Sequence, residues 1–419
     1  MKHVLLSTVA AVAITLAAGT ASAQSHQAYI EQAGAGGHEN SQTQDGGSGN
    51  YTYNRQSGDS KNVGTTLQTA GTSNQAYITQ AIGGNTATQT QDGGSTNVMQ
   101  VTQTGNGTVG NTSTQLQQAN STRNRMAGTQ TGNGNINNQT QTGGEDNQQS
   151  VVQDGTGNLN TQHQFSISAV GQRNEASANQ TGNNNIVVQS QASGVYNRAW
   201  ATQTGDNNNA NQAQLFGQDN QMVSVQTNNR NTAVQVQSLA TNGYAYIEQS
   251  QNDNTATQVQ AVAGNQIAYA YQTGNNNTSS QSQTGDGEYA VIRQTGDLND
   301  ATQIQSGGLN IASINQNGNG NITSQEQSGA GGNNASILQN GDNNEMEQIQ
   351  IGTNVATAQQ FNGSATGNWG SQSQEGTGNT VSLYQDGNGN RSTQTQFGTG
   401  NIMQATQVGT GHISTQTQQ

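Results

Sequence analysis

The residues that most often perform catalysis or bind metals are sparse in this 419-residue chain, which has five His and no Cys. His3, His26, His38, His163 and His412 are dispersed, with no His-Glu-x-x-His spacing to hold a zinc ion. Absence of cysteine removes any disulfide framework or thiolate metal site. Gly-Asn-Gly and Gly-Asp-Gly triplets resemble the turns of calcium-binding repeats, but the Gly-Gly-x-Gly-x-Asp nonapeptide is missing. Gly-x-Gly pairs are followed by no helical pattern and so form no phosphate cradle. Triplets such as Asn277-Thr278-Ser279 are expected from the composition and carry no glycosylation signal. These residue types predict no enzyme, no metal and no cofactor. What the chain has in quantity is side-chain amide, donor and acceptor at once.

Amides do useful work only if something positions them, and the composition says what. The chain is 28% hydrophobic and 8% charged, with 55 Gly and no Pro. Ordinary domains carry roughly 45–50% apolar and roughly 25% charged residues. A chain this poor in apolar residues is expected to be disordered, yet disorder normally brings charge and proline. Proline is the residue that cannot donate to a strand ladder, so its absence points to polar β-structure. The net charge of −13 has the wrong sign for binding phosphates, which predicts no nucleic-acid partner.

Residues 1–23 read as a Sec signal peptide: Lys2 and His3, an apolar run over residues 4–18, and Ala21-Ser22-Ala23 before Gln24. The apolar run is short for a membrane span of roughly 20 residues, and no other apolar stretch exists. The expectation is an exported protein with no membrane span, whose repeat array occupies residues 24–419.

One element recurs throughout that array, Gln-x-Gly-x-x-Asn. It is clear at Gln180-Thr-Gly182-Asn-Asn-Asn185, Gln203-Thr-Gly205-Asp206-Asn-Asn208, Gln272-Thr-Gly274-Asn-Asn-Asn277, Gln294-Thr-Gly296-Asp297-Leu-Asn299, Gln316-Asn-Gly318-Asn-Gly-Asn321 and Gln385-Asp386-Gly-Asn-Gly-Asn390. Thirty-four such Gln anchors lie mostly 11 or 12 residues apart. Two kinds of segment alternate between them. One has a second Gln two places before the anchor, as in the segments ending at Gln283, Gln305 and Gln327; the other has an apolar or small residue there, as in Tyr-Ala-Val-Ile292-Arg-Gln294. Only the segment ending at Gln68, with Thr66 in that place, departs from the alternation. Two classes of segment make about 17 repeats of about 23 residues.

Between each Asn and the next anchor the residues alternate in character, the period of a strand with two different faces. Counting the Asn as zero, even places carry Asn, Ala or Ser, Ile/Val or Gln, then Gln, whereas odd places vary and hold the aromatics, Tyr77, Trp200, Tyr246, Tyr269, Tyr289, Trp369 and Tyr384 among them. The uniform even face is expected to be buried. Gly182, Gly205, Gly274, Gly296 and Gly318 supply turns that need positive φ. Each repeat is then strand, turn, strand, turn, and each strand meets its equivalent one repeat later. The predicted fold is all-β, a parallel β-solenoid of cross-β type with two short strands per turn. Its anchors (Gln180, Gln203, Gln272, Gln283, Gln294, Gln305, Gln316, Gln327, Gln385) and its turn asparagines (Asn185, Asn208, Asn277, Asn299, Asn321) stack in ladders at roughly 4.7–4.8 Å. Asp206, Asp286, Asp297, Asp342 and Asp386 sit in or beside turns rather than on the buried face, a gatekeeper arrangement that charges the surface without breaking the ladders.

The tandem motif, complete in Gln294-Thr-Gly296-Asp-Leu-Asn299-Asp-Ala301-Thr-Gln-Ile-Gln305, resembles the curlin repeat, over essentially all of residues 24–419. Curlins usually have only a handful of repeats, and usually a glycine-rich targeting segment, for which residues 34–40 are the one candidate here. The resemblance implies a subunit of curli, the extracellular functional amyloid of biofilms. It further implies Sec export through the periplasm, an outer-membrane secretion pore, a nucleator subunit, and self-polymerisation into cell-surface fibres acting in adhesion and aggregation.

The competing expectation is a monomeric secreted β-solenoid, either a surface adhesin or an ice-binding protein. Ice binding would favour an outward Thr array, which pairs such as Thr88/Thr90, Val188/Ser190 and Asn211/Ala213 do not maintain. A monomeric solenoid is also expected to cap its open ends, and the last segment, Ser414-Thr-Gln416-Thr-Gln418, is a plain strand that reads as an elongation surface.

Overall fold

The period-two alternation becomes strand after strand, most of them seven residues long, in a computed structural model that describes residues 25–105, 109–119, 121–166, 172–329, 331–362 and 366–419. The predicted signal peptide, residues 1–23, lies outside the described residues. Two compact units divide the chain after Asn183. The first runs from the strand Gln27–Ala33 through thirteen strands to Glu175–Asn183. The second has nineteen, from Ile186–Ala192 to Ile413–Gln418. No helix occurs among the described residues.

Within each unit a strand pairs in parallel with the strand two places along. Tyr244–Ser250 lies between Gln221–Thr227 and Ile267–Thr273, with Ala245 opposite Met222 and Ala268, and Gln249 opposite Gln226 and Gln272. Parallel strands need a crossover, and here the crossover is the other strand of the same turn. The fold is therefore an all-β parallel β-solenoid with two strands per turn, about sixteen turns over its two units. The sequence count of about 17 is higher because Glu345–Phe361 and Trp369–Asn388 each run unbroken through two anchors, Gln350 with Gln360 and Gln374 with Gln385.

Burial follows the even face. In Tyr244–Ser250 the residues Ala245, Ile247 and Gln249 are buried, and Tyr244, Tyr246 and Glu248 point outward. The inward rows are of two kinds. In one class of strand Ile292, Ile314 and Ile337 stack in register within an apolar cluster that includes Met346 and Leu383. In the other class the same place is Gln, as at Gln281, Gln303 and Gln325. Thr66 fits the amide class because its Oγ1 donates to Asn54 Oδ1 at 3.3 Å. Residues 34–38 form the turn between the first two strands, Gln27–Ala33 and Glu39–Asp45, at the place other turns occupy.

Candidate functional site

The solenoid interior is where the sequence-predicted residues converge. Gln272 Nε2 donates to Gln294 Oε1 at 2.9 Å, Gln294 to Gln316 at 2.9 Å, and Gln316 to Gln339 at 3.0 Å. In the facing row Gln283 donates to Gln305, and Gln305 to Gln327, both at 2.9 Å. Gln203 and Gln385 make the same bond to Gln226 and Gln407, at 2.8 and 2.7 Å. In the first unit Gln180 accepts from Gln153 at 2.8 Å.

The second amide proton goes across the core, a feature absent from the sequence reasoning. Gln272 Nε2 also donates to the backbone oxygen of Thr255 at 2.9 Å, Gln294 to Thr278 at 2.8 Å, Gln283 to Ile267 at 3.0 Å, and Gln385 to Trp369 at 3.0 Å. Gln180 and Gln327 reach Leu159 and Ile311 likewise, at 3.0 and 2.9 Å. These anchors thus stitch one coil to the next and one sheet to the other. A buried amide costs free energy only when unpaired, so these rows replace much of an apolar core. Gln396 Nε2 is the one anchor nitrogen among the described residues left buried without a partner.

The turn asparagines behave differently from a simple side-chain ladder. Asn299 N donates to Asn277 Oδ1 at 3.0 Å, and Asn277 Nδ2 donates to the backbone oxygen of Gly296 in the next coil at 2.8 Å. Asn185 reaches Gly205 O at 2.7 Å, Asn208 reaches Asn228 O at 2.6 Å, Asn299 reaches Gly318 O at 2.8 Å and Asn321 reaches Gly341 O at 2.8 Å. Side-chain stacking is thereby supplemented with main chain, because Asn is one methylene shorter than Gln and sits where the strand leaves the turn. Gly182, Gly205, Gly274, Gly296 and Gly318 all have φ between 105° and 127°. A Cβ on Gly274, Gly296 or Gly318 would meet the carbonyl oxygen of the glycine one coil on.

A further ladder lies in the turns. The N–H of Asp206 donates to Asn229 Oδ1, Asn229 to Asn252, Asn252 to Asn275, Asn275 to Asp297, Asp297 to Asn319, and Asn319 to Asp342, over 2.7–3.2 Å. Asp297 and Asp342 therefore accept main-chain bonds, as does Asp286, whose Oδ1 takes the Gly264 N–H at 2.8 Å. Asp386 is set apart: its carboxylate accepts a long bond of 3.5 Å from the Tyr384 hydroxyl. The signal was present in the sequence: every second anchor from Gln203 to Gln339, the seven of one strand class, is followed three places later by Asn or Asp.

One acid does sit on the buried face. Glu288 occupies an asparagine place and is fully buried; its Oε2 accepts the Gly285 N–H at 2.8 Å and its Oε1 accepts from Asn310 Nδ2 at 3.2 Å. Burial outweighs these bonds and pushes its carboxyl above the usual range. Positive φ also falls on bulky turn residues that sequence reasoning passed over, Phe216, Leu239 and Val262, at 54–63°.

Compared with known protein families and with curated proteins, the chain matches none. Among the described residues no group of three or more His, Asp or Glu is placed to hold a metal ion, and no helix is long and apolar enough to cross a membrane. What the assembled geometry can do chemically is present a repeating edge of main-chain and amide hydrogen bonds.

Proposed function

We propose that this chain is the structural subunit of an extracellular, curli-like amyloid fibre that grows by stacking solenoids so that the amide columns continue from one molecule into the next. The supporting observation is the sameness of successive layers: the row that Gln294, Asn299 and Gln305 offer the following coil is the row that coil offers in turn. A second copy would find the same donors and acceptors. Ile413–Gln418 pairs with Arg391–Thr399, and its inward Ser414, Gln416 and Gln418 are half-exposed where interior rows are buried.

On this reading the protein has no catalytic role, is exported by the Sec route and a curli-type pore, starts from a nucleator, and serves in biofilm matrix and adhesion. Seeded growth of the purified mature protein tests it. Fragmented fibres are expected to recruit monomer into fibres with a reflection at about 4.7–4.8 Å along the axis. A chain that stays monomeric with seeds would instead be a surface adhesin. Replacing Asp206, Asp286, Asp297, Asp342 and Asp386 with Asn is expected to shorten the lag at neutral pH and low salt, since Asn keeps the turn acceptors and removes the charge; an unchanged lag would sink the gatekeeper role.

A further inference from the structure

Outward places on three neighbouring strands of one parallel ladder in the second unit carry five tyrosines in contact. Tyr244 and Tyr246 belong to Tyr244–Ser250, Tyr269 and Tyr271 to Ile267–Thr273, and Tyr289 to Tyr289–Thr295. Ring centroids are 5.6 Å apart for Tyr244 and Tyr269, 5.6 Å for Tyr246 and Tyr271, 6.2 Å for Tyr246 and Tyr269, and 6.1 Å for Tyr269 and Tyr289. Most pairs are tilted by 44–58°. The register of the parallel sheet sets this proximity: Tyr246 and Tyr269 are direct cross-strand partners, and Tyr244 with Tyr269, Tyr246 with Tyr271 and Tyr269 with Tyr289 are diagonal neighbours offset by two residues on the same face.

One phenol has a proton acceptor in place. Tyr246 O–H donates to Glu248 Oε2 at 3.0 Å. Burial and this bond keep the Tyr246 phenol protonated well beyond the usual tyrosine range, and burial also raises the Tyr244 and Tyr271 phenols. Arg293 lies over the Tyr271 ring, 5.2 Å from its centroid, and fixes that ring in position.

We propose that the Tyr244, Tyr246, Tyr269, Tyr271 and Tyr289 array is a site of oxidative cross-linking, at which hydrogen peroxide acting through a peroxidase joins successive coils by dityrosine. Each of two phenols gives up one electron to the peroxidase and one proton, the Tyr246 proton passing to Glu248. The two phenoxyl radicals couple through ring carbons ortho to oxygen, and loss of the two ring protons with re-protonation of the oxygens restores both phenols. Overall two tyrosines and one hydrogen peroxide yield one dityrosine and two waters. The bond ties one coil to the next outside the hydrogen-bonded ladder.

The other tyrosines provide the comparison. Tyr29, Tyr51 and Tyr77 in the first unit stand at 5.7 and 5.5 Å and are expected to link as well. Tyr384 packs on Phe361, which cannot form the bond. The full chain, dilute and soluble, is treated with peroxidase and hydrogen peroxide, followed by dityrosine fluorescence and mass mapping of linked peptides. Links are expected within residues 244–289, in chains that run as monomers on a denaturing gel, with a yield per chain that does not fall on dilution. Replacing the five tyrosines with Phe should abolish these links and leave the β-sheet circular dichroism intact, and Glu248→Gln should slow Tyr246 linkage several-fold while links at Tyr29, Tyr51 and Tyr77 form as before. Linkage at Tyr384 as abundant as within residues 244–289, a yield that falls with dilution, or no dityrosine between residues 244 and 289 would overturn the proposal.

Discussion

A buried glutamine anchor is stable here because its amide is engaged both along and across the coil. Gln294→Ala removes the acceptor of Gln272 and the donor to Gln316 together with the bond to Thr278 O. With two ladder partners lost in a dry interior, a cost on the order of 3 kcal/mol is expected, read from the shift in urea midpoint. Glu288 makes the opposite kind of statement. Its carboxyl binds a proton more tightly in the folded chain than in the unfolded one, so the stability it contributes is fully present below the unfolded value of roughly 4.3 and is lost as the pH rises through the higher folded value. Glu288→Gln should remove that loss, so the variant gains on the parent as the pH is raised. Asp300, whose carboxyl burial also raises, is common to both proteins and cancels. Parallel stability curves with no divergence above the unfolded value would refute it.

Strands and turns depend on each other through the glycine carbonyls. Gly296 combines a φ of 105° with a neighbouring carbonyl oxygen of Gly318 where a Cβ would stand, and its own carbonyl receives Asn277 Nδ2. Gly296→Ala is expected to lose ~1–3 kcal/mol from backbone strain alone, with further loss as the coils are pushed apart. Hydrogen exchange should localise the loosening to the turn and its neighbours one coil away on either side. The turn was legible in advance as Gly-x-x-Asn, because glycine and asparagine tolerate conformations other residues avoid. Phe216, Leu239 and Val262 in left-handed turns were not legible, since nothing in their side chains favours that conformation and the stacked neighbours impose it. Isolated ion pairs in these turns, such as Arg230 with Asp253, are exposed and contribute little.

At the scale of the molecule, equivalence of the coils carries a prediction of its own. Deleting residues 317–339 joins Gln316 to Asn340 and removes one whole turn, leaving apolar rows on apolar rows and amide rows on amide rows. Deleting residues 317–327 removes one strand and its turn. The first two strands downstream then stack on the wrong class, Ile337 on the row of Gln281 and Gln303 and Gln348 on the row of Ile292 and Ile314. The first deletion is expected to fold with nearly the parent midpoint, as a nearest-neighbour array should. The second should unfold at markedly lower denaturant, because buried amides then face side chains that can neither donate nor accept. Equal stability of the two proteins would show that strand class does not matter.

The sequence alone determined what is local and periodic: the spacing of the anchors, the two strand classes, the inward and outward faces, the parallel pairing one repeat apart and the turn glycines. Each follows from side-chain alternation and from the conformational freedom of glycine, which act within a few residues. Only the tertiary structure decided where the second proton of each glutamine goes, because that depends on how the two sheets are offset across the core. It also decided that Asp297 and Asp342 accept turn N–H groups, that Glu288 is enclosed, and that the tyrosines at 244–289 touch one another. Those contacts link places a full coil apart, and the direction in which each side chain leans along the axis is set by the stacked coils rather than by its own neighbours in the chain.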